Sequence, residues 1–191
     1  QVHVFCFGFG SPDKAKQLFN YGADRVQVLN NPLYNTISLD LGLIAIEPQI
    51  IKDKPYAIFF PATTHGKEFA ASLSAKFNVG LATDCVAIQA GKDNQIIVRR
   101  PVYAGKALLN LTLNGPGPHI LSLRQNTFRG PGPDFSRVGD IELLDISVSN
   151  DQRVLKVREV VKEIGSQLDI TEARVVVSGG LGMQQPENFK L

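Results

Sequence analysis

The sequence predicts an α/β fold in which helices flank a mostly parallel β-sheet. Strand-like runs occur at residues 2–9, 25–29 and 56–60, and helical spacing of apolar residues follows the first and the third. Continuous apolar runs are typical of strands covered on both faces, as in parallel sheets. The alternation of such strands with helices therefore favours a parallel sheet covered by helices.

The first elements form a βαβ unit. Residues 2–9 end in a glycine loop, and Ser11 can cap the helix that follows. Gly22 ends that helix before the strand at residues 25–29.

A further strand and helix follow this unit. Residues 33–46 are apolar at mixed spacing, and we expect this segment to close at Pro48. The strand at residues 56–60 comes next. Three apolar residues at helical spacing mark the helix after it: Phe69, Leu73 and Phe77.

Residues 86–124, called here the β-rich segment, do not show the alternation of strands and helices. They contain short strand-like pieces with no helix between them, at residues 86–88, 96–98, 109–113 and 120–123. Hairpins or edge strands added to the sheet are the structures that this pattern predicts.

The α/β pattern resumes after the β-rich segment. We predict a strand at residues 141–148, a helix from about residue 151 to 168, and a final strand at residues 174–177. The final strand leads into a glycine-rich loop and would be the first strand of a second domain. We therefore predict one α/β domain over residues 1–170 and the start of another over residues 171–191.

The composition argues against several classes of protein. The net charge is +2 and no run of Lys and Arg is interleaved with aromatic residues, so nucleic-acid binding is not expected. No stretch approaches the ~20 apolar residues of a membrane span, and the first residues lack the charged flank of a signal peptide. Cys6 and Cys85 lie within apolar stretches, which predicts buried, reduced thiols and a reducing compartment.

Residues 61–67 stand between a strand and a helix, where open α/β sheets bind ligands. The hydroxyls of Thr63 and Thr64, with the helix amides, could hold an anion. The plainer interpretation is that Thr64 caps the helix and His65 lies on the surface. No nearby acidic residue forms a triad with His65, and no metal-ligand spacing is present, so hydrolase and metalloenzyme interpretations are weak.

Asp84 stands next to Cys85, and its charge would raise rather than lower the thiol pKa, which disfavours a nucleophilic cysteine. No arrangement of residues in the sequence supports an enzyme that uses Asp84 and His65 as acid and base. Five cations could pair with a flavin, a phosphate or a partner's carboxylates, or lie on solvated strand faces: Arg99, Arg100, Lys106, Arg124 and Arg129.

The glycine-rich loop at residues 178–182 is the sharpest local motif. Its glycines let the main chain approach a ligand closely. It is neither a Ser-Gly-Gly-x-Asp loop nor a Gly-x-Gly-x-x-Gly fingerprint. We predict four cofactor-binding residues here and no catalytic or metal-binding residue: Gly179, Gly180, Leu181 and Gly182.

Five blocks in order resemble the α subunit of electron transfer flavoproteins. They are PATTHGK at 61–67, GLATDC at 80–85, RPVYAGKA at 100–107, LRQNTF at 123–128, and RVVVSGG at 174–180 followed by ENF at 187–189. Together they cover nearly the whole chain.

The resemblance implies an adenine-nucleotide α-hydrolase-like domain over residues 1–170, paired with a β subunit that carries AMP. It also implies that FAD is held mainly by a carboxyl-terminal domain, of which residues 171–191 are the start and the remainder is expected to be absent. Such proteins are electron carriers rather than enzymes with their own substrate. They take electrons from acyl-CoA and related dehydrogenases, as in fatty acid β-oxidation, and pass them to a quinone reductase of the respiratory chain. The bacterial cytoplasm or the mitochondrial matrix is the expected location.

Three departures from the family matter. Relatives carry Arg at the position of Leu181, so a positive charge expected near the flavin is missing. Relatives also begin with one more strand and helix before Val2, so we expect the chain to be shortened at both ends. Gly105 and Lys106 stand where electron-bifurcating relatives have Gly-Asn, which favours the ordinary one-flavin type.

The alternative function is a stand-alone adenine-nucleotide-binding module of the same fold. It would bind AMP or ATP through the loops after Phe9 and Phe60. It would need a phosphate-cradling Gly-x-Gly loop, for which residues 8–10 are a weak candidate.

Overall fold

The computed structural model describes residues 1–7, 12–29, 31–35, 38–93, 95–149, 154–155, 157–159, 170, 173 and 175–189. The chain divides into two compact units, Gln1–Val157 and Arg158–Leu191. The first unit contains all the strands and α-helices of the described residues. Within these residues, no helix combines the length and the apolar character that a membrane span requires.

The first sheet of unit 1 is parallel and has three strands. Strands β1 (His3–Cys6), β2 (Arg25–Leu29) and β9 (Asp140–Leu144) lie in the order β1-β2-β9. Helix α1 (Pro12–Lys16) and the 3-10 turn Phe19–Tyr21 connect β1 to β2. The predicted βαβ unit is thus confirmed, while the loop at residues 8–11 lies outside the described residues.

Gly22 ends the first helical connection, as predicted. Its φ of 106° lies in the left-handed region that favours glycine, and its N–H donates to the carbonyl of Phe19 at 3.0 Å. Phe19 is then buried against Val26 and Val28 of β2.

Helix α2 (Leu39–Asp53) runs past Pro48, so the prediction that this segment closes at Pro48 is wrong. A proline inside a helix removes a single main-chain hydrogen bond and strains the turn before it. Ile46 and Ile50, on either side of Pro48, are both buried in the core, and this burial favours continuing the helix. The helix ends at Lys54, whose N–H donates to the carbonyl of Ile50 at 2.9 Å.

The second sheet of unit 1 is also parallel. Strands β3 (Ala57–Pro61), β8 (His119–Leu123) and β4 (Leu81–Cys85) lie in the order β3-β8-β4. Helix α3 (Thr64–Phe77) connects β3 to β4 and buries Phe69 and Leu73. The prediction that residues 120–123 form a hairpin or edge strand is wrong, because β8 pairs on both sides and is almost entirely buried.

The rest of the β-rich segment forms an antiparallel sheet of two hairpins, as predicted. Strands β5 (Ala87–Ala90), β6 (Ile96–Val102) and β7 (Ala107–Leu113) lie in the order β5-β6-β7. Ile96 and Val98 of β6 join a core cluster with three residues of the second sheet: Ala82, Cys85 and Leu121. The predicted fold class, an α/β fold in which helices flank mostly parallel strands with a β-rich addition, is confirmed, although the parallel strands form two three-stranded sheets rather than one sheet.

The end of the chain departs from the prediction. Of the helix predicted from about residue 151 to 168, the described residues 154–155 and 157–159 are not helical, and the remainder lies outside the described residues. Val175–Val177 is not a strand; Arg174 is outside the described residues. Within the described part of unit 2 no strand is present to pair with it, and the only regular elements are the 3-10 turns Leu181–Met183 and Pro186–Phe189. Without such a pair, three apolar side chains stay exposed: Val175, Val176 and Val177.

We expect Gly66→Ala to destabilise unit 1. A Cβ at Gly66 would lie 1.9 Å from the carbonyl oxygen of Pro61, so strand β3 or helix α3 would have to shift. The expected loss is about 1–3 kcal/mol of the free energy of unfolding, measured by urea denaturation. Gly80→Ala is the matched control, because a Cβ there meets nothing within 4 Å, and it should change stability by less than about 0.5 kcal/mol. Equal effects of the two changes would contradict the close approach at Gly66.

Candidate functional site

The carboxyl ends of β3, β8 and β4 meet at one edge of the second sheet, because the three strands are parallel. This is the edge at which open α/β sheets bind ligands. The N–H of Ala62, just after β3, donates to the carbonyl of Leu123 at 2.7 Å, and the N–H of Arg124 donates to the carbonyl of Cys85 at 3.0 Å. The three loops that leave the sheet are therefore held side by side.

The loop after β3 begins helix α3 with Thr63, not with the predicted Thr64. The Thr63 hydroxyl accepts a hydrogen bond from the N–H of Gly66 at 3.1 Å, which satisfies one of the free amides of the first turn. Thr64 is already the first helical residue and is exposed. His65 is exposed too, in agreement with a surface residue.

Asp84 joins the loop after β4 to the loop after β8. Its φ of 58° lies in the left-handed region, which aspartate tolerates better than most residues. Its N–H donates to the buried hydroxyl of Ser122 at 2.9 Å. Its two carboxylate oxygens accept from Arg124, from Nε at 3.1 Å and from Nη2 at 2.5 Å.

Asp84 is held in its ionised form. The hydrogen bond from Arg124 lowers the pKa of Asp84, partial burial opposes this, and the charges of Arg124, Lys67 and Arg100 lower it further. A carboxylate held in this way is a poor proton donor or acceptor near neutral pH. The arrangement therefore gives no support to acid and base catalysis by Asp84 and His65.

Of the two cysteines predicted to be buried, Cys85 is buried in the core and Cys6 is half-buried. Burial raises the pKa of the Cys85 thiol, and the charge of Asp84 raises it further against an opposing effect of Arg100. Burial also raises the pKa of Cys6. Neither thiol is set up as a nucleophile. The described ranges contain no group of three or more His, Cys, Asp or Glu side chains that could hold a metal ion.

Two of the five candidate cations share a cleft with Asp84. The cleft has a volume of about 430 Å³ and is lined by Asp84, Arg100, Arg124 and residues 101–105, which are the end of β6 and the turn after it. Arg99 lies apart from it, where its Nε donates to Oδ1 of Asn110 at 3.0 Å. Lys106 and Arg129 are exposed. The cleft could not be predicted from the sequence, because it depends on β8 lying next to β4. The sequence pattern predicts a hairpin or edge strand at β8.

The four predicted cofactor-binding residues lie in unit 2, at the turn Leu181–Met183 and just before it. A Cβ on Gly179 would lie 2.5 Å from Cζ of Phe189 and 2.6 Å from Cγ of Met183, so the Phe189 ring packs directly against this glycine. The side chain of Asn188 donates to the carbonyl of Met183 at 2.6 Å. The glycine loop and residues 188–189 thus form one local structure.

Comparison with known proteins gives a consistent result. Residues 1–149 match the electron transfer flavoprotein domain family. The electron transfer flavoprotein subunit alpha of Bacillus subtilis is 30% identical over 92% of this chain and 53% of its own length. The subunit LctC of a lactate dehydrogenase (NAD(+),ferredoxin) of Acetobacterium woodii is 26% identical over 96% of this chain and 44% of its own length. Protein FixB of Clostridium saccharobutylicum is 28% identical over 92% of this chain and 53% of its own length.

The chain belongs to the electron transfer flavoprotein family, and its relatives include proteins named as alpha subunits of that family. The resemblance stated from the five sequence blocks is confirmed. The chain spans about half the length of the curated relatives it matches.

The glycine loop leaves main chain open beside two of its glycines. A Cβ on Gly180 or Gly182 would meet no heavy atom within 4 Å, so the space beside the backbone is open. Leu181 is fully exposed (100%) and residues 178–184 contain no charged side chain. Any cation near a ligand held here would have to come from another segment.

We expect Asp84→Asn to lower stability at pH 7 by at most about 1 kcal/mol, because the Asp84 and Arg124 side chains are partly exposed. The folded state lowers the pKa of Asp84 below its ordinary value of about 3.9, so the ionised carboxylate stabilises the fold above about pH 4. This stabilisation is lost as the pH falls through the folded-state pKa. The difference between wild type and variant, measured by urea denaturation, should therefore shrink towards pH 2.

Asp93→Asn is the control for this prediction, since Asp93 also has a left-handed backbone, with φ of 52°. It removes a carboxylate at the same kind of backbone position without touching Arg124. A pH-dependent difference as large for Asp93→Asn as for Asp84→Asn would contradict the role given to the Asp84–Arg124 pair.

Proposed function

We propose that this chain is part of the α subunit of a heterodimeric, FAD-containing electron carrier, and that unit 1 binds the β subunit. The family and the names of the relatives support a role in electron transfer. The observation that carries the proposed binding of the β subunit is the open side of the antiparallel sheet, at strand β7.

Strand β7 is an edge with apolar side chains in solvent. It pairs with β6 on one side, and no strand of the described residues pairs with it on the other. Leu108 is 59% exposed and Leu109 43%. An unpaired strand edge is a template for another chain, and natural proteins usually protect such edges with charges or a cover. The β7 edge (Ala107–Leu113) therefore fits a surface that a partner covers.

The same region presents an exposed aromatic residue. Tyr103, in the turn between β6 and β7, is 81% exposed. Tyrosine is enriched at interfaces between proteins, because it buries a large area and keeps a polar end. We propose a β-type subunit of the same family as the partner, since the alpha-subunit names of the relatives imply a second subunit.

We propose FAD as the cofactor, held mainly by segments of the relatives that lie outside the region this chain matches. Residues 171–191 would then begin the FAD-binding domain, and Gly179, Gly180, Leu181 and Gly182 would contact the flavin through main-chain atoms. The flavin supplies the electron chemistry, and the protein positions it and sets its surroundings. AMP, if the assembly binds it, would belong to the β subunit.

We further propose that the carrier takes electrons from acyl-CoA or related dehydrogenases and passes them to a quinone reductase. The name of the LctC relative is that of a lactate dehydrogenase subunit, which favours a second candidate, a subunit of a larger dehydrogenase complex. The pair Gly105 and Lys106 supports the one-flavin carrier over that candidate. The free thiols of Cys6 and Cys85 suit a reducing compartment, the bacterial cytoplasm or the mitochondrial matrix.

We expect Leu108→Lys to weaken the complex with a cognate β-type subunit by about tenfold or more, because it buries a charge in an apolar contact. Ile51→Lys is the matched control. Ile51 is 57% exposed, as Leu108 is to within a few per cent, but it lies in helix α2. Gel filtration and titration calorimetry of the mixed subunits measure the affinity of both variants.

Two results would count against the β7 edge as the partner surface. One is a clean monomer at micromolar concentration with the β-type subunit present. The other is an equal loss of affinity in Leu108→Lys and Ile51→Lys, which would place the contact elsewhere or make it unspecific.

We also expect the 191-residue chain to bind FAD weakly or undetectably, even with the β-type subunit present. A flavin needs a largely enclosed pocket with several convergent polar groups, and one exposed glycine turn does not supply it. Ordering the loop on binding would also cost about 1–2 kcal/mol for each residue fixed. Titration calorimetry with FAD tests this, and a yellow preparation with close to one flavin per chain would overturn the proposed domain boundary.

A further inference from the structure

The cleft beside Asp84 carries more positive charge than its one carboxylate neutralises. Arg100 and Arg124 line it with Asp84. Lys67, in the first turn of α3, is close enough for its charge to lower the pKa of Asp84, as are both arginines. Two arginines thus line the cleft with one carboxylate, and the charge of Lys67 adds to the positive potential around Asp84.

Arg100 has a donor left over. Its Nε is shielded from solvent and has no hydrogen-bond partner. A buried donor without a partner is unfavourable in a folded protein, so a shift of the guanidinium that brought Nε to a ligand's acceptor would relieve that cost. Arg124 uses Nε and Nη2 on Asp84 and keeps further N–H groups, since a guanidinium has five.

The neighbouring turn leaves the cleft accessible. Tyr103, Ala104 and Gly105 have φ values of 52°, 54° and 86°, and all three line the cleft. Gly105 carries no side chain, and an added Cβ there would meet nothing within 4 Å. The exposed ring of Tyr103 stands at the same rim, where a flat aromatic group could stack on it.

We propose that this cleft binds a phosphate dianion through Arg100 and Arg124. The negative charge of the dianion suits a cleft in which cations outnumber the carboxylate, and arginine is the side chain best shaped to hold phosphate oxygens. The phosphate could be free or the end of a nucleoside monophosphate, and Tyr103 would distinguish the two by stacking on a base. This site shares no residue with the glycine loop, is distinct from the AMP site proposed for the β subunit, and does not depend on the proposed carrier function.

Titration of the isotope-labelled 191-residue chain with inorganic phosphate tests the location. We expect amide shifts that saturate in the millimolar range or below, concentrated at Asp84, residues 103–105 and Arg124. The binding should weaken as sodium chloride is raised, since the contact is ionic and partly exposed. An absence of saturable shifts, or shifts confined to other parts of the chain, would overturn the proposal without any variant.

Arg100→Met tests the residue, because methionine keeps much of the apolar stem and removes the guanidinium. We expect the affinity for phosphate to fall about tenfold or more, as for loss of a charged hydrogen bond. Arg99→Met is the matched control, since Arg99 is the adjacent residue of β6 and its Nε bonds Asn110. An equal loss of phosphate affinity in the two variants would mean that phosphate responds only to the overall positive charge of this surface, and it would overturn the proposed site.

Adenosine monophosphate, adenosine and inorganic phosphate distinguish the two sources of the phosphate. Tighter binding of the monophosphate than of phosphate, lost in Tyr103→Ala, indicates a nucleotide. Equal binding of the two, unchanged in Tyr103→Ala, indicates free phosphate. Binding of adenosine as tight as that of the monophosphate would contradict recognition through the phosphate.

Discussion

Strand β8 is the element on which the rest of unit 1 depends. It lies between β3 and β4, pairs in parallel with both, and buries Ile120, Leu121 and Ser122 completely. An interior strand of a parallel sheet has no solvent-facing side, so its residues must be apolar or hydrogen-bonded. Ser122 meets this requirement by accepting a hydrogen bond from the N–H of Asp84. One buried hydroxyl thus fixes the backbone at the residue that also pairs with Arg124.

The place of β8 also decides what happens to the chain between β4 and β8. Because both strands belong to the same parallel sheet, the intervening residues must leave the sheet and return in the right direction. They do so as the antiparallel sheet β5-β6-β7, which packs on the second sheet through Ile96 and Val98. The packed face stabilises this sheet, and the β7 edge is left with exposed leucines. The requirement to insert β8 therefore creates both the cleft near Asp84 and the surface proposed for a partner.

Much of the fold could be predicted from the sequence. Strand β2 lies at the predicted residues, and α3 carries the predicted stripe of Phe69, Leu73 and Phe77, because both have strong local patterns. The position of β8 could not be predicted, since a run of four apolar and polar residues says nothing about which strands lie beside it. The prediction that the segment closes at Pro48 is wrong for a related reason, because the core contacts that favour a helix beyond Pro48 are long-range.

The candidate site shows the same limit. Burial of Cys85 follows from its apolar neighbours, but the pairing of Asp84 with Arg124 spans 40 residues and appears only in the folded sheet. The helix cap is Thr63 rather than Thr64. The two adjacent threonines carry the same hydroxyl, and only the backbone conformation of the loop determines which of them caps the helix. The four residues Gly179 to Gly182 remain a prediction for flavin contact, supported by open main chain at two of the glycines.

The measurement that tests the central claim most directly is hydrogen exchange of the chain, followed by mass spectrometry, with and without a cognate β-type subunit. Amides that are buried in a new contact or paired with a new strand exchange more slowly. If unit 1 binds its partner through the antiparallel sheet, peptides from β7 (Ala107–Leu113) and the turn before it should gain protection, and peptides from helix α2 should not. Protection confined to α2, or none in β7, would contradict the claim that this sheet is the partner surface.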